Sequence, residues 1–385
     1  MRLRQNKIEE NTDILNQSEK IIGKSEKNYR TVLVGLNNIE ANCYMNPTLQ
    51  CLSNSKKLTE YFLNKYKKDS YKIMANEYYE VVKNLWDTDR KNKAYSPSSF
   101  NAVLCMENPL FARRTNKPKD LINFLLDRFH QELNAININT NINIDLNKYK
   151  NDYFNQPDQA KEFTTLKDFL EEFAQKFNSP ISNLFYGILE TKSQCKGCNV
   201  INYNFQTYNF LEFNLGLVNQ YYFKMGKKPL ITKEEKNPDI DLYECFEYNK
   251  KVDVFTGQNQ VYCNRCNKLE DKMYSTSIYS GPNYLIINLN RGKGAVYECK
   301  VNFPNQLDIC NYVTFKKGIT VYELYGVICQ FGPSSMNDHF VAYCRNRIDN
   351  QWYLYNDSIV TKCTRPSQYN DNMPYILFYR GLTNN

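Results

Sequence analysis

Four cysteines in two C-x-x-C pairs place the strongest constraint on what this chain can fold into. The pairs are "CKGC", with Cys195 and Cys198, and "YCNRC", with Cys263 and Cys266, and strand-like sequence flanks both. Two such pairs supply four thiolates, a complete tetrahedral ligand set for a structural zinc ion. The pairs lie further apart than the usual short spacing, so a strand-rich insertion must separate them.

Other uses of these cysteines are weaker interpretations. Four unrelated buried thiols would need two C-x-x-C pairs to arise by chance, which is improbable even in a chain with 13 cysteines. A catalytic zinc is disfavoured because four thiolates leave no position for water. A redox role is disfavoured because the chain has two matched C-x-x-C pairs. We predict one structural zinc ion, no organic cofactor, and a packing role for other cysteines such as Cys105, Cys245, Cys299 and Cys310.

The chain carries no sign of secretion or of membrane insertion. Its first 20 residues contain no apolar run of the signal-peptide kind, and no stretch approaches the length of a membrane span. The chain has 13 cysteines, an odd number. In a reducing compartment disulfides are rare, so we expect these cysteines to be thiols or metal ligands. The sequence predicts a monomer of the cytoplasm, the nucleus or both.

The charge pattern indicates an ordinary solvated surface. The net charge is +8, from 49 Lys and Arg against 41 Asp and Glu, and the two signs are mixed along the chain. No block of five like charges occurs, so a nucleic-acid-binding tail is not indicated.

The apolar periodicity changes from helical to strand-like along the chain. Residues 1–30 are predicted to be a polar extension, and residues 31–385 are patterned as a globular domain. Three stretches predict helices, the first opened by Pro47: "NPTLQCLSNSKKLTEYFL", "NEYYEVVKNLW" and "PKDLINFLLDRFHQEL". Residues 134–161 are predicted to be a loop insertion, because Asn and Ile alternate there at low complexity.

Strand-like runs follow from about Ser182. They include "NLFYGILETKS", "NYNFQTYNFLEFNL", "NYLIINLNR", "VYELYGVICQF", "HFVAYCRN" and "QWYLYND". Helices first and strands later predict an α+β fold.

Cys43 is a candidate nucleophile. It stands just before a predicted helix that begins near Asn46, and the positive end of a helix dipole lowers a thiol pKa. The chain has only two histidines that could act as its base. His130 falls within a predicted helix and suits a structural or surface role. His339 leads from a polar loop into a strand, where an imidazole is held with one nitrogen free, and we predict it to be the base.

The stretch "HFVAYCRNRIDNQWYLYND" predicts two adjacent strands that bring Asn356 or Asp357 beside His339. An amide or carboxylate in that position orients the imidazole ring. The order Cys, His, Asn or Asp over a long span is the order of papain-like thiol hydrolases. Asn38 and the backbone N–H of Cys43 are candidate donors to an oxyanion. Each residue alone has an ordinary structural interpretation, and the joint pattern favours catalysis.

Together these motifs resemble those of the ubiquitin-specific proteases, which are deubiquitinating cysteine peptidases. "GLNNIEANCYMNPTLQCL" is similar to the family's Cys box, and "DHFVAYCRNRIDNQWYLYNDSIV" to its His box. "NYLIINLNRGKG" and "VYELYGVICQFG" match the strands between the two boxes. The likeness runs from about Thr31 to Arg380.

The resemblance implies a papain-like fold shaped as a hand, with a helical thumb, a β-rich palm and fingers over roughly residues 183–280 that end in a zinc ribbon. It implies Cys43 as nucleophile, His339 as base, Asn356 as third triad member, Asp357 as the acidic residue after it, and Asn38 at the oxyanion position. The implied reaction is hydrolysis of the peptide or isopeptide bond after the last glycine of ubiquitin, through a thioester. The implied partners are ubiquitin and ubiquitinated proteins.

Four departures from the family pattern leave other functions open. Glu40 and Ala41 stand where the family has Gly-Asn, Asn42 where Thr is common, and Asp338 where the family has Gly before its His. The acidic helix motif that would contact the basic ubiquitin tail keeps Asp120 but has Lys117 in place of its first acid. The alternatives are a weak or inactive member acting as a binding module in a spliceosomal or other complex, and a protease for another ubiquitin-like modifier.

Overall fold

A computed structural model describes residues 32–39, 43–89, 94–112, 116–135, 157–229, 237–292, 297–331, 339–364, 366 and 373–382. Within those ranges, helices form most of the first half of the chain. They are α1 (Met45–Ser53), α2 (Lys56–Asn64), α3 (Ile73–Leu85), α4 (Ser98–Glu107), α5 (Pro118–Leu133), α6 (Pro157–Lys176) and α7 (Pro180–Phe185). None of the helices in the described residues is long and apolar enough to cross a membrane.

The first predicted helix is two helices in the structure. The break falls at Asn54 and Ser55, where the Asn54 side chain donates to the carbonyl of Gln50 at 2.9 Å and Ser55 has extended ψ of 97°. Short polar side chains compete in this way with the helical hydrogen bonds of the backbone. The prediction of one continuous helix was therefore wrong, because apolar spacing persists across a break that polar side chains create.

Helix α6 begins inside the run that the sequence predicts to be a loop. Residues 136–156 of that run lie outside the described residues, but Pro157 already starts the helix. Leu166 and Leu170, one turn apart, pack into a small core with Phe205 and Tyr279 of a neighbouring sheet. The loop prediction extended too far because the low-complexity composition hid this apolar stripe.

Within the described chain, eight strands form one central sheet. In spatial order they are β17 (Ile359–Cys363), β16 (Trp352–Asn356), β15 (His339–Arg345), β14 (Val321–Phe331), β18 (Met373–Gly381), β11 (Tyr284–Asn290) and β5 (Leu211–Asn214), with β13 (Gln306–Asp308) beside β14.

The two faces of the central sheet belong to different hydrophobic cores. Ile328, Ala342 and Ile376 face α1–α5. Val327, Val341 and Leu377, each next to one of them in its strand, face the opposite core. That second core also holds α8 (Leu215–Lys224) and α9 (Leu242–Asn249). A helical layer, a large sheet and a smaller β unit confirm the predicted α+β class.

A smaller sheet has four strands among the described residues. Its order is β4 (Ile201–Tyr208), β3 (Gly187–Cys195), β10 (Lys272–Ser280) and β7 (Asp253–Phe255). The hairpin of β8 (Val261–Cys263) and β9 (Lys268–Glu270) lies at its end, opposite the start of β10. The run "NLFYGILETKS" is only partly strand, since Asn183–Phe185 still belong to α7.

Candidate active site

Cys43 lies in the turn that leads into α1, two residues before Met45. Its side chain is half-buried and packs against the core beneath the helices. The first turn of α1 carries no acidic side chain, so nothing in that turn offsets the positive end of the helix dipole near the sulfur. Helix α1 packs on β15, the strand that begins at His339.

His339 and Asn356 are hydrogen-bonded across neighbouring strands. Nε2 of His339 lies 2.7 Å from Oδ1 of Asn356, on the antiparallel strands β15 and β16. The sequence predicted that either Asn356 or Asp357 would fill this place. The amide fills it, and with Nε2 as the donor to Asn356 the other ring nitrogen, Nδ1, carries the basic lone pair.

Asp357 joins the two segments that flank the site. Its Oδ1 accepts from Nδ2 of Asn46 at 2.8 Å, and its Oδ2 accepts from Nδ2 of Asn38 at 3.1 Å. Asp357 stands in the turn after β16 with φ of +50°, a left-handed conformation that Asp adopts more readily than most residues. One carboxylate thus ties the candidate oxyanion residue Asn38 to helix α1.

The backbone of the segment before Cys43 rests directly on that turn. The N–H of Leu36 donates to the carbonyl of Asp357 at 2.9 Å. A Cβ on Gly35 would lie 2.4 Å from the backbone oxygen of Ser358, so only glycine permits this approach. The short strand β1 (Gly35–Leu36) therefore sets the distance between Asn38 and Asp357.

Gly35 and Asn46 belong to this arrangement, although no sequence motif indicated a role for either. Asn46 is buried in the first turn of α1 and also donates to the carbonyl of Leu36 at 3.2 Å. Its amide at the start of the apolar-spaced stretch "MNPTLQCL" was the available signal, because a buried amide needs specific partners.

His130 has the structural role that its position in a helix predicts. Its Nδ1 lies 2.7 Å from the hydroxyl of Ser179, which caps α7, and its ring stacks on Phe177. Burial lowers the pKa of His130, opposed by the nearby Asp127 carboxylate.

The start of α5 faces the strand that carries His339. Lys117, just before the helix, places its amine 5.5 Å from the ring of Phe340, the neighbour of His339. Asp120 is exposed in the first turn. The departures at Glu40, Ala41, Asn42 and Asp338 lie outside the described residues.

Four thiols meet at the end of the smaller sheet. The sulfurs of Cys195, Cys198, Cys263 and Cys266 all lie within 4.8 Å of one another, and this group could hold a metal ion. The Sγ atoms of Cys195 and Cys266 are 3.9 Å apart, and those of Cys198 and Cys263 are 3.7 Å apart. Zinc–sulfur bonds of about 2.3 Å give a tetrahedron with edges of about 3.8 Å, so the spacing suits a tetrahedral ion.

The two C-x-x-C turns have the same construction. Asn199 and Asn267, each directly after the second cysteine of its pair, have φ of 56° and 55°. Their backbone N–H groups donate to the carbonyls of Cys195 and Cys263, both at 2.8 Å. The backbone N–H of Cys266 lowers the pKa of the Cys263 thiol, whereas the hydrogen bond to Cys198 raises the pKa of the Cys266 thiol, so the clustered sulfurs share their protons.

Known proteins share this chain's sequence pattern over most of its length. The family model described as "Ubiquitin carboxyl-terminal hydrolase" matches residues 34–379. The chain is 28% identical over 361 residues to human Ubiquitin carboxyl-terminal hydrolase 2, covering 90% of this chain and 55% of the relative. It is 24% identical over 365 residues to human Ubiquitin carboxyl-terminal hydrolase 21, covering 90% of this chain and 61% of the relative. The chain thus spans a little more than half the length of these curated relatives.

Proposed function

Because the chain belongs to the ubiquitin carboxyl-terminal hydrolase family, we propose that it is a thiol-dependent deubiquitinase with Cys43 as its nucleophile. The observation that carries the proposal is the hydrogen bond between His339 and Asn356, on the strand against which the helix after Cys43 packs. Residues 31–385 form its catalytic domain, with fingers over roughly 183–280, and residues 1–30 a polar extension.

The thiolate of Cys43 attacks the carbonyl carbon of the last glycine of ubiquitin. Nδ1 of His339 takes the thiol proton and gives it to the leaving amine, while Asn356 holds Nε2 and so fixes the ring. The products of this step are the free amine and a thioester on Cys43. Water, deprotonated by the same imidazole, then hydrolyses the thioester and restores the thiol.

Asn38 is suited to stabilise the oxyanion. Its side chain is exposed, and one of its N–H bonds is directed to Asp357. Fixing that N–H also fixes the plane of the amide, which leaves the second N–H oriented before substrate arrives. Such preorganised donors lower the barrier because no reorganisation is needed as charge develops. Asp357 acts in this scheme as a positioning residue.

The proposed substrate is ubiquitin attached to another protein. Its tail lies between α5 and the central sheet, where Asp120 is an exposed acid at the helix start, and the fingers hold its globular part. The four-cysteine cluster holds one structural zinc ion, which stabilises the end of the smaller sheet. We further propose that the protein works as a monomer in the cytoplasm, the nucleus or both.

The first prediction concerns Cys43. Cys43→Ala abolishes hydrolysis of a fluorogenic substrate built on the ubiquitin C-terminus but retains ubiquitin binding, because only the attacking sulfur is removed. A ubiquitin electrophile should label wild-type protein at Cys43 and leave the variant unlabelled. Turnover by the variant, or no turnover and no labelling of zinc-loaded wild-type protein, would refute the proposal.

A protease for another ubiquitin-like modifier is the second candidate function. Lys117 favours it, because this cation lies near Phe340, beside His339, and would repel a basic tail. Electrophilic probes built on different modifiers separate the two functions. Faster labelling by a modifier with an acidic or neutral tail would support the second.

A further inference from the structure

The face of the smaller sheet that α6 covers carries a buried carboxylate. Glu190 of β3 is paired with Phe205 of β4 and with Ser277 of β10, and the side chains of directly paired residues point to the same face of a sheet. Phe205 packs against Leu166 and Leu170 of α6, so Glu190 also faces that helix. Glu190 is 0% exposed. Burying a carboxylate is costly unless its oxygens have partners, so a compensating group is expected beside Glu190.

The hydroxyl groups beside Glu190 satisfy its carboxylate poorly. Its Oε2 lies 3.3 Å from the hydroxyl oxygen of Ser277 and 3.4 Å from that of Thr314, and the two hydroxyl oxygens are 3.3 Å apart. Hydrogen bonds of the O–H···O type are usually about 2.5–3.0 Å long, so these three contacts are loose. Oε1 is buried and has no hydrogen-bond partner among the described residues. The two hydroxyls therefore do not compensate for the burial of this carboxylate.

A lysine amine is shared between Glu190 and a second buried carboxylate. Nζ of Lys192 lies 3.4 Å from Oε2 of Glu190 and 3.9 Å from Oε2 of Glu162, which is buried on α6. One amine carries one positive charge against two carboxylates, so these three groups together keep a net negative charge. The Lys192 side chain is 39% exposed, so its amine can turn away towards solvent. The pair of carboxylates therefore suits a cation of higher charge.

The three oxygens of Glu190, Ser277 and Thr314 have the spacing of ligands around a calcium-sized ion. Neighbouring ligands of an octahedral ion are separated by about 1.4 times the metal–oxygen distance, which is about 2.3–2.6 Å for calcium and about 2.0–2.1 Å for magnesium. The observed separations of 3.3–3.4 Å correspond to a metal–oxygen distance of about 2.4 Å, in the range of calcium. The backbone holds this triangle together, because the N–H of Thr314 donates to the carbonyl of Ile278, next to Ser277, at 2.8 Å.

We propose that Glu190, Ser277 and Thr314 form a site for a hard divalent cation of the size of calcium, with Glu162 as a second carboxylate that binds the ion directly or through water. Both oxygens of Glu190 bind the ion, as carboxylates commonly do with calcium, so the unpartnered Oε1 acquires a partner. The Lys192 amine turns to solvent when the ion binds. The ion joins α6 and the smaller sheet to the segment before β14. The site is separate from the four-cysteine cluster, and the inference does not depend on the proposed hydrolysis.

The test is calcium binding to the zinc-loaded full chain without any substrate. A CaCl2 concentration about 100 times Kd should raise Tm by about 3 °C, because the ion binds only the folded chain. MgCl2 should raise Tm less, and NaCl at the same ionic strength should leave it unchanged. Terbium, a luminescent substitute for calcium, should be sensitised by Tyr203, whose ring lies 5.4 Å from the Lys192 amine. Added calcium should then displace terbium and remove the luminescence.

Three variants change the site in different directions. Glu190→Gln should remove both the calcium-dependent rise in Tm and the terbium luminescence, because it removes the central carboxylate. Thr314→Val keeps the shape of the side chain but removes one oxygen ligand, and it should raise the Kd for calcium about tenfold. Lys192→Met removes the competing amine and should lower that Kd.

Glu171→Gln is the matched control for these variants. Glu171 also lies on α6 and pairs with a lysine, Lys167, but its side chain is 48% exposed. Its calcium response and terbium luminescence should equal those of wild type.

The outcomes separate a built site from adventitious binding. Absence of a calcium response in wild type overturns the site, and an equal response in Glu190→Gln overturns it too, because the ion then binds elsewhere. If Glu190→Gln does not fold, an unchanged Kd in both Thr314→Val and Lys192→Met overturns the site. A calcium response in wild type without turnover on any ubiquitin substrate supports the site and overturns the proposed function alone.

Discussion

At the scale of single residues, the site depends on how one carboxylate is shared. Asp357 accepts from Asn38 with one oxygen and from Asn46 with the other, while the neighbouring Asn356 holds the imidazole. Asn356, the last residue of β16, thus holds the proposed base, and Asp357, in the turn after it, holds the proposed oxyanion donor. Substitution of Asn356 and substitution of Asp357 should therefore affect different steps of catalysis.

Asp357→Asn should lower kcat about 100-fold with little change in KM, the loss typical of removing an oxyanion donor. Asn tolerates the φ of +50° at this position, so the turn stays intact while one acceptor oxygen becomes a donor. Asn38→Ala should cause a similar loss, and the double variant no further loss. Additive losses in the double variant would contradict the role of Asp357 in positioning Asn38. The control is Asp349→Asn, which lies in the turn before β16.

His130 should make the stability of the fold depend on pH. Burial, opposed by Asp127, lowers its pKa from the ordinary 6.5, so below that pH the unfolded chain binds a proton that the native state resists. Stability is therefore complete above about pH 6.5 and falls as the pH drops through that value. The urea concentration at the unfolding midpoint should decrease when the pH is lowered from about 7.5 to about 5.5. The decrease should be smaller in His130→Gln.

The control for this pH effect is His339→Gln, which removes the only other histidine. Its urea midpoint should fall with pH as in wild type. An undiminished fall in His130→Gln would assign the pH dependence to other groups.

At the scale of elements, close backbone contacts decide what the local patterns leave open. Strand β1 is only two residues long, yet it aligns Asn38 because Leu36 binds the turn after β16. The two C-x-x-C turns are likewise fixed by a left-handed asparagine after each pair. In both places, a left-handed residue, which is Asp357 in the turn after β16 and Asn199 or Asn267 after each cysteine pair, adjoins a candidate site residue.

Gly35→Ala tests the contact between β1 and that turn. The new Cβ would meet the Ser358 backbone oxygen at 2.4 Å, and neither backbone can yield without moving Asn38. We expect a loss of about 1–3 kcal/mol in unfolding free energy and at least a tenfold loss in kcat. Unfolding in urea and steady-state kinetics provide the measurements.

Gly216→Ala in α8 is the matched control for this exchange. Its Cβ would meet its nearest atom, on the Asn214 side chain, at an ordinary 3.4 Å. A helical alanine should gain up to about 1 kcal/mol without changing kcat. A Gly35→Ala variant with wild-type kinetics would show that Asn38 does not depend on this contact.

At the scale of the whole molecule, the four-cysteine cluster is distant in sequence from the candidate nucleophile and lies at the end of the smaller sheet, whereas Cys43 lies in the turn before α1. The cysteines terminate the smaller sheet, whereas Cys43 packs against the core of the helical layer. Metal binding stabilises the arrangement that forms its ligands. Loss of the ion should therefore act first on the smaller sheet.

Metal removal by a chelator should raise amide hydrogen exchange in β7–β10 before it does so in α1. Cys198→Ser should release the metal, measured by native mass spectrometry, because it removes one of four ligands. Cys105→Ser is the control, since this half-buried cysteine of α4 is not part of the cluster. Unchanged metal content in Cys198→Ser would contradict the metal site.

The sequence by itself determined the elements whose signals are local. The spacing of apolar residues predicted α5 and β14 with their observed bounds, and the paired cysteines predicted their own cluster. The family match confirms the resemblance that the Cys43 and His339 motifs indicated. These signals persist because periodicity and ligand spacing are properties of short segments.

Only the tertiary structure decided which distant polar groups meet. It selected Asn356 over Asp357 for His339, gave Asp357 to Asn38 and Asn46, and set Lys119 on Glu212. Each of these contacts joins segments whose separation in sequence carries no periodic signal. Their geometry follows from strand register and from the close approach that Gly35 permits, which are fixed only when the layers pack together.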